Sequence, residues 1–130
     1  MASTYSTKEE KAVATLHQIK DAILQLQEWN KDIHSPEDYV STTSGMKELA
    51  AASMLIVAIG EGFKNVDKLT DGNLLPLRPE IPWKDVKGIR DKVAHGYFDI
   101  DNAVIFESVK YEFPELLPSI DFFIQYLSHN

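Results

Sequence analysis

The spacing of apolar residues constrains the fold of this chain more than any other feature. Over most of the sequence apolar residues recur at steps of three and four, as in Leu16, Ile19, Ile23, Leu26 and Ile33. This period places them on one face of an α-helix, whereas a half-buried β-strand needs strict alternation. No stretch shows sustained alternation. We therefore predict an all-α protein, an up-and-down bundle of four to five helices.

Capping residues mark the first two long helices. Ser6 and Glu9 form a Ser-x-x-Glu capping box, which predicts a helix from about 7 to about 32. A second helix is predicted from about 45 to 69, and one of the hydroxyl groups just before it should cap it. Small residues in this helix, among them Gly60, indicate that another helix approaches it closely.

The C-terminal third contains two further helical segments. Asp99 or Asp101 can cap a helix that is predicted to run to about Glu112. Pro118 then leaves two alternatives for the last segment, which opens at Pro114. Either the segment is kinked at Pro118, or the last helix begins there, because proline is tolerated in a helix only near its start.

The composition is that of one globular domain without disulfides. The chain has 130 residues, of which 44% are hydrophobic, and it has no cysteine. Residues 1–130 are therefore predicted to form a single domain, with residues 1–6 disordered. The polar start lacks the apolar segment of a signal peptide, and the longest apolar run, Met54–Ile59, is much shorter than a membrane span. A soluble, cytoplasmic protein is expected.

Charge is distributed unevenly along the chain. The formal net charge is −7, which argues against a protein that binds nucleic acid through phosphate neutralisation alone. The segment Arg78–Lys92 differs, because it holds five cationic and three acidic residues. A locally basic site on an acidic body could hold an anion. A solvated, lysine-rich helix face would have the same composition, and charge alone does not separate the two.

The functional prediction depends on the segment Ile81–Ile100. Pro82 suits the first position of a helix, where its missing N–H has no partner to lose, and Gly96 suits the end, where glycine adopts the left-handed cap. We expect one helix of about four turns between them. Trp83 should lie in the core, with its indole N–H bound to a carbonyl. The apolar face of this helix is formed by Val86, Ile89 and Val93.

Arg90, His95 and Tyr97 bring three useful functional groups to the end of this helix. Arginine binds phosphate oxygens in a bidentate manner, and histidine takes or gives a proton near neutral pH. At a separation of five residues, Arg90 and His95 are offset by roughly 140° but can still border one groove. The pair suits cleavage of an RNA phosphodiester but lacks a second general acid or base. A two-fold dimer would supply one, with two copies of the pair around one cleft.

Structural roles for the same residues stay open. A histidine near a helix C-terminus is favoured by the helix dipole in any protein. Tyr97 can pack beneath the last helix, and Arg90 can form an ion pair with Glu61 or Asp91. Glu61 is itself either a hydrogen-bond partner of the active-site Arg or His, or an exposed helix glutamate, since a carboxylate near a core needs a partner.

The spacing Arg90-x4-His95-x-Tyr97 resembles the motif of HEPN-domain proteins, in particular their HepT-like branch. The runs Ile81-Pro82-Trp83 and Ile59-Gly60-Glu61 also resemble that branch. The similarity extends over most of the chain, from about Thr7 to about Leu127.

This resemblance implies a HEPN-like helical fold and a homodimer with a metal-independent endoribonuclease site at its interface. Arg90 and His95 would be catalytic, Asp91, Tyr97 and Glu61 would support them, and no metal or cofactor is expected. It also implies a protein partner, a minimal nucleotidyltransferase (MNT) antitoxin. This antitoxin neutralises the toxin by binding it and, in some pairs, by adding AMP to the tyrosine that Tyr97 matches.

Two other hypotheses compete with an RNA-cleaving toxin. The first is a non-catalytic HEPN module that binds a nucleotide or a nucleotidyltransferase partner, which would fit the negative charge of Asp91 beside the arginine. The second is a plain helical oligomerisation domain, which would leave Arg90 and His95 without a role. Loss of RNA cleavage on His95→Ala would favour the enzyme over both.

Overall fold

The computed structural model describes residues 7–94 and 99–128, and this part of the chain is an all-α bundle, as predicted. Two short helices take the place of one longer helix that the sequence predicted. The described α-helices are α1 Lys8–Trp29, α2 Thr43–Leu69, α3 Trp83–Lys87, α4 Ile89–Val93, α5 Asn102–Glu107 and α6 Leu117–Ser128. The shorter helical turns are Pro36–Tyr39, Leu75–Leu77, Ser108–Glu112 and Pro114–Leu116.

Helices α1 and α2 form an antiparallel pair at the centre of the bundle. The start of α1 lies beside the end of α2, since Lys8 Nζ is 3.9 Å from Asp71 Oδ1 and Asn65 Nδ2 donates to Thr15 Oγ1 at 3.4 Å. The faces predicted from the apolar spacing are the buried faces. The core residues are Ala12, Leu16, Ile19, Ile23 and Leu26 on α1 and Leu49, Ala52, Ile56, Ile59, Phe63 and Val66 on α2.

Threonine hydroxyls cap both long helices. Thr7 Oγ1 accepts a hydrogen bond from the Glu10 N–H at 3.0 Å, and Glu10 Oε1 accepts one from the Thr7 N–H at 3.2 Å. This reciprocal capping box lies one residue after the predicted Ser6–Glu9 box, which was therefore wrong by one position. The hydroxyl cap predicted for α2 is Thr42, whose Oγ1 accepts from the Gly45 N–H at 2.9 Å.

Helix α2 has an apolar surface on two sides. By length and composition alone its 27 residues could span a membrane, although the core helix of a soluble bundle has the same properties. One side packs on α1, α3 and α4. The other side carries Met46, Ala50 and Met54, which are exposed at steps of four residues, and the two methionines are 58% and 69% exposed. We call these three residues the α2 stripe.

A buried polar cluster joins the end of α1 to two later segments. Tyr39 Oη donates to Asn30 Oδ1 at 2.7 Å, Asn30 Nδ2 donates to the Leu26 carbonyl at 2.8 Å, and Lys110 Nζ donates to the Asn30 carbonyl at 2.7 Å. Asn30 and Tyr39 are fully buried. Burial and the negative charge of Glu48 raise the pKa of Tyr39 to about 12, which keeps its hydroxyl protonated as a donor.

The single helix predicted between residues 82 and 96 was wrong in two respects. It is interrupted at Gly88, which separates α3 from α4, because glycine is a poor residue for a helix interior. It also ends at Val93 instead of at Gly96. Ala94 is extended, with φ −138° and ψ 130°, and forms an antiparallel bridge with Ile100 in place of a last helical turn.

Gly60 lets α3 and α4 lie directly against α2. A Cβ atom at Gly60 would be 2.7 Å from Cγ2 of Ile89 and 3.1 Å from the carbonyl oxygen of Val86. Val86, Ile89 and Val93 are buried, as predicted for the apolar face of this segment. The close helix approach predicted from the small residues of α2 is confirmed at this contact.

Trp83 joins α3 to the aromatic part of the core. Its ring lies between those of Phe63 and Phe123, at centroid distances of 5.1 and 5.7 Å. Its Nε1–H donates to the Arg78 carbonyl at 3.0 Å. The predicted position of Trp83, with its N–H bound to a carbonyl, is confirmed.

The C-terminal segments start at the residues that the sequence indicated. Asp101 caps α5, since its Oδ1 accepts from the Val104 N–H at 3.1 Å. A π-helical turn, Ser108–Glu112, follows α5 directly, so helical structure continues to Glu112, as predicted. Pro118 is the second residue of α6, a position where proline is tolerated, so the last helix begins at Leu117 and has no proline kink.

Replacing Gly60 with alanine is expected to destabilise the fold by about 1–3 kcal/mol, the usual range for overpacking a core. The matched change is Gly62→Ala on the same helix, because a Cβ there would meet side chains and no backbone atom, with Ile19 at 2.9 and 3.0 Å and Thr15 Cγ2 at 3.7 Å. Urea denaturation of both variants measures the difference. Equal losses of stability would contradict the tight contact of α2 with α3 and α4.

Candidate active site

Arg90 is held at the surface by buried residues of its own helix. It is the second residue of α4, and Ile89 and Val93, which anchor this helix, are 6% and 1% exposed. Arg90 itself is exposed, and its guanidinium has no hydrogen-bond or ion-pair partner in the described part of the chain. No described residue therefore occupies the N–H donors of the guanidinium, which are suited to binding an anion.

Two lysines near Arg90 are neutralised within the protein. In the segment 78–92, Lys87 Nζ is 2.9 Å from Asp67 Oδ2 in a mostly buried ion pair. Lys92 Nζ is 3.8 Å from Asp85 Oδ1 in an exposed pair. The local excess of cations predicted from the sequence is thus largely balanced by acidic neighbours. Only part of it is available to a ligand.

Arg78 is also engaged. Its guanidinium lies over the ring of Phe122, 4.2 Å from the ring centroid, in a cation–π contact. Two cations of this segment, Lys84 and Arg90, are exposed and without a partner among residues 7–94 and 99–128. The structure therefore singles out these two from the five cationic residues that the sequence offered as an anion site.

His95 and Tyr97 lie outside the described residues, so their predicted convergence with Arg90 stays a prediction. The two ends of the segment that carries them are described, and the bridge between Ala94 and Ile100 joins them. Because α4 ends before Ala94, the angular offset expected for one continuous helix does not apply.

The two acidic residues predicted to support the site are both exposed. Asp91 follows Arg90 on α4, and its carboxylate has no partner among the described residues. Glu61 Oε1 is 3.4 Å from Lys64 Nζ on the same helix, in a half-exposed pair. Within one chain Glu61 is thus a surface glutamate that does not contact Arg90. The supporting roles of both residues stay predictions.

The described residues contain no group of three His, Asp or Glu side chains that could hold a metal ion. What they provide is an exposed guanidinium at Arg90 and an exposed ammonium group at Lys84 on the neighbouring short helix, neither of which has a partner among the described residues. Catalysis would need a proton-transfer group in addition, and His95 is the residue of this motif that could supply it.

A groove of about 740 Å³, which was not predicted from the sequence, lies beside α3 and α4. Its floor is apolar and is formed by residues that include Ile81, Val86, Ile89, Val104 and Leu116. Its rim carries five carboxylates and two cations, which are Glu80, Asp85, Glu107, Glu112, Glu115, Arg78 and Lys92. We call it the acidic groove, and Arg90 does not line it. The carboxylates come from separate segments, so no local sequence pattern reveals them.

Because Arg90 is exposed and has no partner among the described residues, Arg90→Gln should change the free energy of unfolding by no more than about 0.5 kcal/mol. Lys87→Gln is the matched change, because it removes a cation only three residues from Arg90 in the sequence. Lys87 belongs to a mostly buried ion pair, so its loss should lower the free energy of unfolding by about 1 kcal/mol. Urea denaturation of both variants checks this. A loss at Arg90 as large as that at Lys87 would mean that Arg90 has a structural partner.

Comparisons with known proteins agree with the motif. The family model described as Ribonuclease HepT-like matches residues 19–122. A protein of Thermococcus cleftensis, named as a probable ribonuclease HepT, is 33% identical over 101 residues, which are 78% of this chain and 84% of that protein. A protein of Methanocaldococcus jannaschii, named as a candidate RNase, is 40% identical over 58 residues, which are 45% of this chain and 47% of that protein.

A third relative, from Caldanaerobacter subterraneus and also named as a candidate RNase, is 38% identical over 58 residues, which are 45% of this chain and 48% of that protein. No solved structure matches the chain at a significant level. The family model covers well over half of the chain. The predicted resemblance is confirmed, and this protein belongs to the ribonuclease HepT-like family, a family of RNA-cleaving enzymes.

Proposed function

We propose that this chain is an endoribonuclease that cleaves RNA without a metal ion and acts in the cytoplasm as the toxin of a toxin–antitoxin pair. One observation carries the proposal. Arg90 belongs to the Arg-x4-His-x-Tyr motif of a ribonuclease family, and its guanidinium is exposed, unpaired among the described residues and fixed by a buried helix face. An arginine without a structural partner is free to bind a phosphate.

The chemistry divides between the arginine and the histidine. Arg90 would bind the nonbridging oxygens of the scissile phosphate and stabilise the charge that builds up on the phosphorane. His95 would take the proton of the 2′-hydroxyl as that oxygen attacks phosphorus, or give a proton to the 5′-oxygen that leaves. Because one histidine cannot do both at the same moment, a second His95 from another copy would complete the reaction.

The α2 stripe supports a homodimer as the form that completes the site. Met46, Ala50 and Met54 form an exposed apolar row, and rows of this kind favour a protein interface. On an α-helix, Glu61 falls on the same side, within the roughly 80° that the stripe spans. Gly60, next to Glu61, is the contact point of α4. A two-fold axis along this side of α2 would therefore bring two copies of α4 towards one cleft.

A protein partner, an MNT-type nucleotidyltransferase antitoxin, would complete the module. Tyr97 of the motif would accept AMP from it. A phosphodiester on the phenol would add negative charge two residues from His95 and would repel an RNA phosphate from the site. Blocking by charge in this way would silence the enzyme without unfolding it.

A second function, a non-catalytic module that binds a nucleotide, is favoured by one specific observation. Asp91 follows Arg90 on α4 and is exposed and unpaired among the described residues, so its carboxylate adds a negative charge next to the proposed phosphate site. A charge in that position weakens the attraction for a polyanion. Cleavage assays separate this function from the enzyme.

Purified wild-type protein is expected to cleave tRNA or a structured mRNA in the presence of EDTA, whereas Arg90→Ala and His95→Ala should lower the rate by at least about 100-fold each. Lys84→Ala removes the other exposed, unpaired cation of this segment and is the matched control, with an expected loss of less than about tenfold. Gel analysis of end-labelled RNA measures the rates.

Mixing the two inactive variants tests the shared cleft. A dimer with one Arg90→Ala chain and one His95→Ala chain has one arginine and one histidine in the common cleft. Its rate should exceed that of either inactive homodimer but stay well below the wild-type rate, because the second proton-transfer group is missing. If the mixture stays inactive while heterodimers form, each chain has its own site and the shared cleft is wrong. If the wild type does not cleave any RNA and has an unmodified mass, the nucleotide-binding module replaces the enzyme.

Coexpression with a cognate MNT nucleotidyltransferase should raise the intact mass of the chain by that of one or more adenylates and suppress cleavage. Tyr97→Phe should prevent the mass increase while leaving the bundle folded. Mass spectrometry and circular dichroism of both proteins check this. An adenylate on another residue, or none at all in an inhibited complex, would contradict the role of Tyr97.

A further inference from the structure

We propose that the acidic groove binds a basic, amphipathic segment of a partner protein. The floor of the groove and its rim support this assignment separately. The groove does not include Arg90, and the proposal does not depend on ribonuclease activity.

The floor indicates that the occupant has an apolar face. A volume of about 740 Å³ lies within the range of roughly 300–1,000 Å³ that is typical of ligand sites. Ile81 and Val104 both line the groove and are only partly buried, although both pack against the core. Apolar side chains of an occupant would remove their remaining apolar surface from water, which is the main favourable term in docking.

The rim indicates that the occupant is cationic. Of its five carboxylates, Asp85 faces Lys92 at 3.8 Å. The remaining four have no ion-pair partner in the described ranges, and they are Glu80, Glu107, Glu112 and Glu115. The second rim cation, Arg78, is stacked on Phe122. Lysines or arginines flanking an apolar segment would meet these carboxylates, and such complementarity sets both specificity and association rate.

Charge argues against two other occupants. An RNA strand would bring its phosphates against the unpaired carboxylates, so the substrate of the proposed enzyme should avoid this groove. A second copy of this chain would bring a mostly acidic surface to an acidic rim, whereas the proposed homodimer meets at the uncharged α2 stripe, which does not line this groove. A basic segment of a different protein fits both the floor and the rim.

Selection from a displayed library of random peptides of about 15 residues, a length that supports a short helix, tests the proposal. The bait is wild-type protein. The counter-selection bait is the double variant Glu107→Lys, Glu115→Lys, in which both changed residues are exposed. Enriched peptides should combine apolar residues at helical spacing with lysine or arginine. Fluorescence anisotropy should give an affinity at least about tenfold weaker for the double variant, and weaker again in high salt.

The matched control is Asp21→Lys, Asp32→Lys, which changes the net charge by the same amount at exposed positions on and after α1, away from the groove. This variant should lower the affinity by less than about threefold. If both double variants lowered the peptide affinity equally, the peptides would be attracted only by the net negative charge of the protein, and the proposal would be overturned. Enrichment of acidic or neutral peptides, a lack of enrichment, or protection of the groove by RNA would also overturn it.

Discussion

The missing side chain of Gly60 allows the Val86 carbonyl and the Ile89 methyl group to rest directly on α2. The position of the candidate site on the bundle depends on that contact. The contact sets how closely α3 and α4 pack against α2 and buries one face of these two short helices. The opposite face, which carries Arg90, remains exposed to solvent. A helix of five residues does not hold its own shape, so the position of the guanidinium is set by packing against α2 and not by the helix itself.

Much of this arrangement was predictable from local rules. Apolar spacing gave the long helices and their buried faces, and the expected carbonyl partner of the Trp83 indole was found at Arg78. The early end at Val93 was not predictable, because it accompanies a bridge between Ala94 and Ile100 that no local pattern encodes. The break at Gly88 has a local cause, a glycine in a helix interior, which the prediction of one continuous helix overlooked. The sequence also did not show which cations have partners. Asp67, the partner of Lys87, is twenty residues away in the sequence, and the two meet only because α3 packs on α2.

Helix α4 contributes to the acidic groove but presents Arg90 outside it. Ile89 and Lys92 line the acidic groove, whereas Arg90 on the same helix does not. A polyanion and a basic protein segment would therefore approach the same five residues from different sides. In the proposed function, RNA and a protein partner would therefore not compete for the same atoms. Both would still contact α4, the helix that carries Arg90. With a formal net charge of −7, the chain offers few cations to a polyanion, and Lys84 and Arg90 are the two of segment 78–92 that have no partner among the described residues.

The brevity of α3 and α4 also affects how the protein opens. Long helices such as α1 and α2 exchange their amide hydrogens only when a large part of the core comes apart, whereas five-residue helices joined by a glycine can detach at a much smaller free energy. We therefore expect the segment that bears the arginine to open as a separate unit. It is held by the contacts at Gly60, by the Trp83 ring between Phe63 and Phe123, and by the Lys87–Asp67 ion pair. Its lifetime in the closed state can change independently of the rest of the bundle.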